Sequence, residues 1–531
     1  MSSAPGWRLS YSSSCSTVIG LVTLLFFGSP RVQAGSFGLN EQSVSSLGSA
    51  YAGGAAQAED VSTIFFNPAG IALLDHGEFQ LAGQFITPNA TFQNQGSRLI
   101  APGTPFNNEP LNGGNGGDGG VAHLIPNVYL SQPIFRSPTY GDLSIGVGLT
   151  VPFGLETDYS PDWVGRYAAL RTKLMTFDIQ PTIAYRFLDR ISVGASIDVQ
   201  YASARLSQAI DFGEIGAATL APFYAALPGR LAASGVPLAA IPGAVAATER
   251  AYSAAGFVPQ GHDGVAEVQG DDWSVGFTVG LIFEYLKGNE LLFLQDGRLG
   301  FSYRSAVDHT LQGPAQFRGV PSLTAIGAPV QFPFPSALQD VFFNQSASAG
   351  LDLPAVYHFS LYQRFLQKFA VMGDIEWSRW NRLQQVDITF SNPSTPSNIL
   401  NLQYDDAIRY SVGFEWYALK QLTLRGGFAY DETPVQSAQT RTPRIPDNNR
   451  YFLSAGLRWQ PYSFVAVDVG YAHLFFQDPT VDYTDSLGHN LRGKFDASID
   501  VVSASITFLW GGPRPQTPPT PEGKSPVGFT K

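Results

Sequence analysis

Apolar and polar residues alternate with a period of two along most of this 531-residue chain. In the segment 143–151 every odd position is apolar and every even position is small or polar. The segments 191–201, 273–285, 451–459 and 465–471 repeat the pattern. Such alternation is typical of β-strands that have one face in an apolar environment and the other in a polar one. The chain is therefore predicted to be all-β.

A soluble β-sandwich also alternates, so the nature of the two faces has to decide between a sandwich and a membrane barrel. The ends of the apolar faces are often aromatic, as at Tyr201, Trp273 and Trp459, and the opposite faces carry charges such as Asp198 and Arg425. A membrane barrel places the apolar face in lipid, aromatic residues at the interfaces and polar residues in the lumen. Charged residues make up only 14% of the chain, which also favours a transmembrane β-barrel.

The connections between the predicted strands give a second test. About fourteen antiparallel strands are predicted, starting near residues 77, 126, 140, 174, 191, 271, 297, 353, 369, 405, 421, 450, 463 and 494. Every second connection is short, as at 188–190 and 367–368, and the intervening ones are long, as at 212–270. Short turns are periplasmic and long loops are outside in barrels of this kind. An even strand number then puts both ends of the barrel, which spans 77–510, in the periplasm.

Residues 1–34 are predicted to be a secretory signal peptide, so that the mature chain begins near Gly35. Arg8 supplies positive charge, residues 18–27 form the apolar core, and residues 32–34 offer a small-residue cleavage site. A membrane anchor is the alternative, but the apolar stretch is too short for the roughly 20 residues that a span requires. The single cysteine, Cys15, lies in this leader. The mature chain therefore lacks thiols for disulfides, thiolate catalysis or Cys-ligated metal.

Three further segments break the strand pattern. Residues 35–76 precede the barrel and are rich in small residues. Residues 212–257 contain apolar positions at helical spacing, which suggests two short helices separated near 228–237 inside an extracellular loop, 212–270. Residues 511–531 are rich in proline and are predicted to be a disordered tail in the periplasm.

Short motifs in a specific order carry a family resemblance. They are Phe37-Gly38-Leu39-Asn40-Glu41-Gln42, Ala50-Tyr51-Ala52-Gly53 and Asn67-Pro68-Ala69-Gly70, followed by Trp163-Val164-Gly165-Arg166-Tyr167, Tyr303-Arg304-Ser305 and Arg441-Thr442-Pro443. Residues 35–74 resemble the hatch of the FadL/TodX family of outer-membrane fatty-acid and hydrocarbon transporters, and the resemblance extends over about 35–510. Two features depart from the family pattern: a tail follows Trp510, and the loop 212–270 is long.

The resemblance implies a fourteen-stranded barrel that is plugged by the N-terminal hatch. It implies that ligand passes from a groove between outside loops to an inner pocket, and leaves through a wall opening at a kink in the third strand. Since the family's mature N-terminus contributes to the pocket, Phe37 and Leu39 are candidate ligand-binding residues. The motif Asn67, Pro68 and Ala69 is expected to hold the hatch in the lumen.

Two irregularities are predicted from the strands themselves. Pro181 lies in the middle of a strand, where its missing N–H removes one ladder hydrogen bond. We expect the accompanying gap between strands three and four, near Pro152, Phe153 and Gly154, and expect it to be the lateral exit. In the last strand the apolar positions change from odd to even near 501–502, which predicts a β-bulge that keeps the apolar face in lipid.

A channel for fatty acids needs an apolar groove and a cation for the carboxylate. The helices of the loop 212–270 are the hypothetical groove, with Phe223 and Tyr224 as candidate ligand contacts. Arg166, Arg304, Arg425 and Arg458 are candidate cations, and the simpler interpretation of each is a salt bridge inside the barrel. Arg166 is favoured because it belongs to a family motif in the loop after strand three.

Several other functions lack support in the sequence. The net charge of −11 argues against nucleic acid, and the histidines form no HExxH pair. We therefore expect a passive, monomeric outer-membrane channel for long-chain fatty acids or aromatic hydrocarbons, with no cofactor or metal and no catalytic activity. The alternatives are a surface receptor or adhesin, and a barrel lipase, which would need a Ser or Thr nucleophile with a base such as His358.

Overall fold

A computed structural model describes residues 36–137, 139–288, 293–323, 327–333 and 337–511. Over these ranges the alternating segments form fourteen antiparallel strands. The strands are β1 (Gly77–Asn94), β2 (His123–Ser137), β3 (Gly141–Thr150 and Gly154–Asp158), β4 (Arg171–Phe187), β5 (Ile191–Asp211), β6 (Asp263–Leu286), β7 (Leu294–Arg304 and Val307–Arg318), β8 (Gln345–Leu353 and Val356–Phe365), β9 (Phe369–Ser378 and Gln385–Phe390), β10 (Asn398–Asn401 and Ala407–Leu419), β11 (Leu422–Asp431), β12 (Arg450–Tyr462), β13 (Val465–Phe476 and Thr480–Thr484) and β14 (His489–Trp510).

The sheet closes on itself, because β1 pairs with β14 over its whole length, from Gly77 opposite Trp510 to Asn94 opposite Gly493. The predicted number of strands is confirmed. The predicted starts of β6 and β8 are each eight residues late, because these strands begin outside the apolar band that sets the alternation. None of the described helices is long and apolar enough to cross a membrane.

The N-terminal hatch lies inside the barrel and is made of short elements. They are α1 (Val44–Leu47), α2 (Thr63–Phe66) and a 3₁₀ turn, Pro68–Ala72. Ser43 caps α1 by accepting a hydrogen bond from the Ser46 amide at 3.1 Å. Nearly every hatch residue from 41 to 72 is buried. The predicted signal peptide, and all but the first residue of the predicted tail, lie outside the described residues.

Two helices occupy the long loop between β5 and β6: α3 (Phe212–Ala233) and α4 (Ile241–Ala254), with a 3₁₀ turn, Leu238–Ala240, before α4. The predicted pair of helices is confirmed, although α3 continues through Pro228 and ends five residues later than expected. Asp211 caps α3 by accepting a hydrogen bond from the Glu214 amide at 2.9 Å.

The predicted bulge in the last strand is wrong. Pairing with β1 is continuous through Val501 and Val502, which lie opposite Ile86 and Phe85, and pairing with β13 is also continuous. Every odd residue of β14 therefore points inward along the whole strand. The change in the sequence pattern has another cause: the interior of the barrel changes from polar to apolar at this height.

The burial of β14 and β1 shows this change directly. Below Val501 the buried inward residues of β14 are polar except for Leu509 near the end of the strand, as at Ser503 and Thr507, and above Val501 they include Phe495. In β1 the buried inward residues change in the same way, from Gln84 to Phe92. The apolar side of each strand faces lipid in the lower half and the lumen in the upper half. The lumen therefore contains an apolar zone above a polar one.

Candidate functional site

The hydrogen-bond ladder between β2 and β3 ends partway along the wall. It runs from Ser137 opposite Gly141 to Val128 opposite Leu149. Residues 123–127 of β2 continue to pair with β1 on their other side but have no described partner on β3. Further out, an isolated bridge joins Gly120 to Thr157. The wall therefore has an opening between β2 and β3 that is bounded above and below by backbone pairing.

A one-residue excess in β3 accompanies this opening. Thr150 pairs with Asp178 and Gly154 pairs with Met175, so three residues of β3 oppose two of β4. The excess residue bends the strand away from a regular ladder. The predicted irregularity at Pro152–Gly154 is confirmed, but the opening lies between β2 and β3 and not between strands three and four as expected, since the Thr176 amide of β4 still donates to the Phe153 carbonyl at 3.0 Å. The role of the opening as an exit stays a prediction.

Pro181 has no part in this opening. It lies opposite Val147 within the regular ladder between β3 and β4. The pairing of β4 with β5 is the one that skips Pro181, between Ile179 and Thr182, without a change of register. The expectation that Pro181 creates the gap is wrong, because its missing N–H faces β5 and not the kinked strand.

The start of the hatch pairs with the kinked part of β3. The Leu39 amide donates to the Pro152 carbonyl at 2.8 Å, and the Gly154 amide donates to the Phe37 carbonyl at 3.1 Å. The Phe37 ring packs edge-on against Trp380, with ring centroids 4.7 Å apart. Phe37 and Leu39 are therefore fixed at the opening by backbone hydrogen bonds and ring packing.

Gln42 of the hatch forms hydrogen bonds with the β3 backbone at the point where the ladder between β2 and β3 ends. Its side-chain amide donates to the Val151 carbonyl at 2.6 Å and accepts from the Val151 amide at 3.0 Å. Its oxygen also accepts from Asn127 of β2 at 2.7 Å. Since Gln42 is fully buried, the hatch provides the hydrogen bonds that β2 does not give to β3.

An apolar cavity of about 260 Å³ lies at this opening. Phe37, Leu39 and Leu174 line it from inside the barrel. Leu124 and Met175 also line it, although their side chains face outward and are 64% and 44% exposed. A cavity that is lined by residues from both faces of the sheet passes through the wall. We call it the wall cavity.

Two further cavities continue from the wall cavity toward the extracellular loops. A strongly apolar middle cavity of about 80 Å³ shares Phe37, Leu174 and Ile445 with the wall cavity. An outer cavity of about 240 Å³ shares Leu206 and Arg444 with the middle one. The shared residues show that the three cavities are adjacent.

Arg166 does not line any of these three cavities. Its Nε donates to Asp263 at 2.7 Å, and its Nη1 donates to the Asn112 carbonyl at 2.6 Å. Its guanidinium also lies over the Tyr167 ring. The expectation that Arg166 is the ligand cation is not supported, because it is already neutralised by Asp263 and ties three outer segments together.

Phe223 and Tyr224 do not form an open groove. Phe223 is 5% exposed and packs edge-on against Phe332, with centroids 5.5 Å apart. The rings of Phe223 and Tyr224 both contact Tyr252. The Tyr252 hydroxyl accepts from the Phe332 amide at 2.7 Å. The expected groove between the helices is filled by the loop that follows β7, so these residues form the core of the loop layer.

The three other candidate arginines form ion pairs inside the barrel. Arg304 lies 3.1 Å from Asp178, and Arg458 lies 3.1 Å from the hatch residue Asp60. Arg425 pairs with Glu415 at 2.9 Å and with Asp468 at the same distance, and it also contacts Glu59 of the hatch. The structure supports the simpler interpretation of these arginines as salt bridges inside the barrel, and the ion pairs of Arg425 and Arg458 also join the hatch to the wall.

The hatch motif contacts three barrel strands. The fully buried Asn67 donates from Nδ2 to the carbonyls of Ala55, Leu281 and Phe301 at 2.7, 3.1 and 3.3 Å, and its oxygen accepts from the Ala69 amide at 3.0 Å. Pro68 and Ala69 lie directly against a glycine of β5, Gly194. These contacts support the prediction that the motif holds the hatch.

Sequence reasoning missed Gln42 and Arg444. Gln42 lies inside the family motif, and Arg444 lies in the loop between β11 and β12. The pattern gave no sign of their roles, because their partners Val151 and Thr172 are 109 and 272 positions away along the chain. The only available hint was that Gln42 lies in a family motif and that Arg444 directly follows one.

A closed barrel with a buried hatch and an opening in its wall defines a class of outer-membrane channel. Residues 25–509 match the family model described as outer membrane protein transport protein (OMPP1/FadL/TodX). The chain belongs to this family, and it is an outer-membrane protein.

Relatives of known name agree with this assignment. The chain is 26% identical over 460 residues to the long-chain fatty acid transport protein of Escherichia coli O6:H1, an alignment that covers 87% of this chain and 91% of the relative. A Pseudomonas aeruginosa FadL homologue has a similar structure, with a TM-score of 0.70 at 24% identity over 89% of this chain and 99% of the other. The Pseudomonas putida toluene transporter TodX gives a TM-score of 0.56 at 16% identity, covering 85% and 94%. The likeness to these two structures establishes the fold.

Proposed function

We propose that this protein carries hydrophobic small molecules, and long-chain fatty acids in particular, across the outer membrane by passive movement. The ligand enters the outer cavity, passes through the middle cavity and leaves through the wall opening into the lipid. The protein acts as a monomer surrounded by outer-membrane lipid, without a cofactor and without catalysis.

The wall cavity is the observation that carries this proposal. It joins the apolar interior near Phe37 to the outward-facing side chains Leu124 and Met175. A polar lumen is a poor path for an alkyl chain, because keeping apolar surface in water costs about 25 cal/mol per Å². A sideways route avoids that cost and also avoids the polar, hatch-filled lower lumen.

Aromatic hydrocarbons are the second ligand class. A toluene transporter shares the fold, and the middle cavity is almost wholly apolar, with side chains such as Leu311, Leu351 and Leu402. An uncharged ring compound would fit such a lining without any polar contact. Uptake of labelled toluene therefore belongs in the same experiment as uptake of labelled oleate.

Removal of the excess residue in β3 tests the lateral route. Deleting Pro152 leaves two residues opposite two on β4, which should restore a regular ladder and narrow the opening. The experiment compares uptake of labelled oleate and toluene in a host without a fatty-acid transporter of its own. Deletion of Gly103 is the control, since this exposed loop glycine has nothing within 4 Å of its added Cβ position.

We expect the Pro152 deletion to lose uptake of every ligand that the intact protein carries, while the Gly103 deletion keeps it. Immunoblots of outer-membrane fractions and heat-modifiability on gels check that both variants assemble. An assembled Pro152 deletion that takes up ligand at the normal rate would show that the opening is not the exit. An intact protein that takes up neither ligand would contradict the proposed function itself.

A further inference from the structure

Arg444 is a buried cation at the junction of the outer and middle cavities. It is 4% exposed and lines both cavities. Its Nη1 donates to the Thr172 hydroxyl at 3.1 Å and to the Ser207 carbonyl at 3.3 Å, and its Nη2 donates to the Gln208 side-chain oxygen at 2.7 Å. All three partners are neutral oxygens.

The absence of a carboxylate partner separates Arg444 from the other arginines considered for ligand binding. Within the described ranges no ion pair at or below 4.0 Å involves Arg444, whereas Arg166, Arg304, Arg425 and Arg458 each have one. Burial lowers the pKa of Arg444, and the groups that act in the opposite direction are the phenols Tyr483 and Tyr159 rather than carboxylates. An unpaired buried charge is costly, so an anion that reaches it is bound favourably.

Two other buried arginines also lack an ion pair within the described ranges, but their surroundings differ. Arg409 donates to the hatch carbonyl of Ala50 and lies over the Phe452 ring. Arg441 donates to the loop carbonyls of Asp447 and Thr480. Neither lines the outer or the middle cavity; Arg409 lines the wall cavity instead, at the exit end of the route.

The other charged groups that line the outer and middle cavities are already paired. Lys173, the other cation that lines the middle cavity, lies 2.9 Å from Glu156. In the outer cavity, His489 lies 2.8 Å from Asp485 and 3.2 Å from Asp211. Arg444 is therefore the cation of the outer and middle cavities whose charge has no carboxylate partner in the part of the chain that the structure describes.

The walls beside Arg444 are apolar. Leu206, Val268, Ile388 and Leu400 line both cavities that Arg444 borders. A charged head next to Arg444 would therefore leave its alkyl chain among aliphatic side chains, which is the arrangement that suits an amphiphile with one anionic end.

We propose that Arg444 binds the carboxylate of an entering alkyl carboxylate while the alkyl chain occupies the middle cavity. This inference rests on the proposed transport function and narrows it: the protein selects monocarboxylates with long alkyl chains over uncharged hydrocarbons. The guanidinium can give a carboxylate two charge-assisted hydrogen bonds, which an alcohol or a hydrocarbon cannot accept in the same way.

The test compares two ligands that differ only in their head group, oleate and oleyl alcohol, on the full-length purified protein in lipid nanodiscs. Dissociation constants are measured by competition with labelled oleate. Arg444→Gln should weaken oleate binding by roughly 10- to 100-fold and change oleyl alcohol binding by less than about threefold. Arg444→Lys should recover part of the oleate affinity.

A second variant keeps the arginine and neutralises it. Gln208→Glu places a carboxylate at the position whose oxygen lies 2.7 Å from Nη2, and it should weaken oleate selectively, as Arg444→Gln does. Arg205→Gln is the control, because this cation is already paired with Glu267 at 2.8 Å and lines none of the three cavities, and it should leave the ratio of the two affinities unchanged.

Equal loss of both ligands in Arg444→Gln, or full oleate affinity in both Arg444→Gln and Gln208→Glu, would overturn the inference. In those cases the intact protein would still bind oleate, and the proposed transport function would stand. Failure of the intact protein to bind either ligand would instead count against the proposed function.

Discussion

A single added methyl group on the inner wall should displace the hatch. Gly300 of β7 faces the lumen, and a Cβ at this position would lie 2.0 Å from the Ala55 carbonyl oxygen. Ordinary van der Waals contact begins at 3.4 Å, so the backbones would have to separate by about 1.4 Å. Strand β7 is held on both sides, with Gly300 opposite Ile282 and Ser360. The hatch therefore has to move.

The displacement has a calculable cost. Overpacking typically costs about 1–3 kcal/mol. The shift also stretches the hydrogen bond from the Ala55 amide to the Ser360 hydroxyl of β8, now 3.0 Å, and losing it costs about 1 kcal/mol more. A total of roughly 2–4 kcal/mol changes the ratio of displaced to bound hatch by about 30- to 700-fold.

Planar-bilayer recordings of Gly300→Ala should therefore show openings much more often than recordings of the intact protein. Gly426→Ala on β11 is the control, because nothing lies within 4 Å of its Cβ position, and it should behave like the intact protein. If Gly300→Ala conducts no more than Gly426→Ala and melts at the same temperature, the hatch is not held by close backbone contact and the reasoning fails.

Three further perturbations follow from the same structure. Asn67→Asp keeps the cap on the Ala69 amide but turns the donor that contacts three carbonyls into an acceptor. The free energy of unfolding of this variant should therefore fall by about 1–3 kcal/mol or more, whereas that of the exposed control Asn108→Asp should not change. Arg166→Ala leaves Asp263 without its cation and should reduce oleate and toluene uptake by the same factor; a loss confined to oleate would reinstate Arg166 as a ligand cation. Burial raises the pKa of Glu214 on α3 to about 7 from 4.5, so its contribution to stability is complete below pH 4.5 and is lost as the pH rises through 7. Hydrogen exchange at the start of α3, corrected for intrinsic rate, should therefore accelerate between about pH 5 and 8, and Glu214→Gln should abolish this change; a profile that is the same in both proteins would contradict the assignment.

The strand pattern was enough to predict the barrel, because the polarity of each strand residue matches the environment that its side chain faces. Trp273, Val275 and Phe277 alternate with smaller or polar neighbours for that reason, and all three are strongly exposed. The kink at Pro152–Gly154 was expected from the family resemblance, and Pro181 gave a misleading local reason for it. A missing N–H shows that one ladder bond is absent, but the sequence does not say on which side of the strand.

The site was less predictable because its contacts join distant parts of the chain. Gln42 and Val151 meet only when the hatch enters the closed barrel, and Arg444 reaches β4 and β5 from the loop before β12. Arg166 and Phe223 were chosen from motif position and apolar character, which do not reveal their partners. Whether an arginine is free to bind a ligand depends on which carboxylates lie beside it in the folded protein, and Arg166 is already paired with Asp263.

The change of phase in β14 and β1 connects the sequence pattern to transport. In β1 the change falls between Phe85 and Ile86, which lie opposite Leu124 and His123, in the part of β2 that has no partner on β3. The interior therefore becomes apolar at the level where the wall opens. An alkyl chain that crosses at this level moves from apolar cavity to lipid, whereas a descent through the polar zone would cost about 2.5 kcal/mol for every 100 Å² of apolar surface kept in water. A phase change without a change of register thus predicts the level at which a hatch-plugged barrel releases an apolar ligand. Replacing inward Ile86 and Ile499 with serine should move the polar zone upward past the opening, and oleate uptake should then fall although the opening itself is intact.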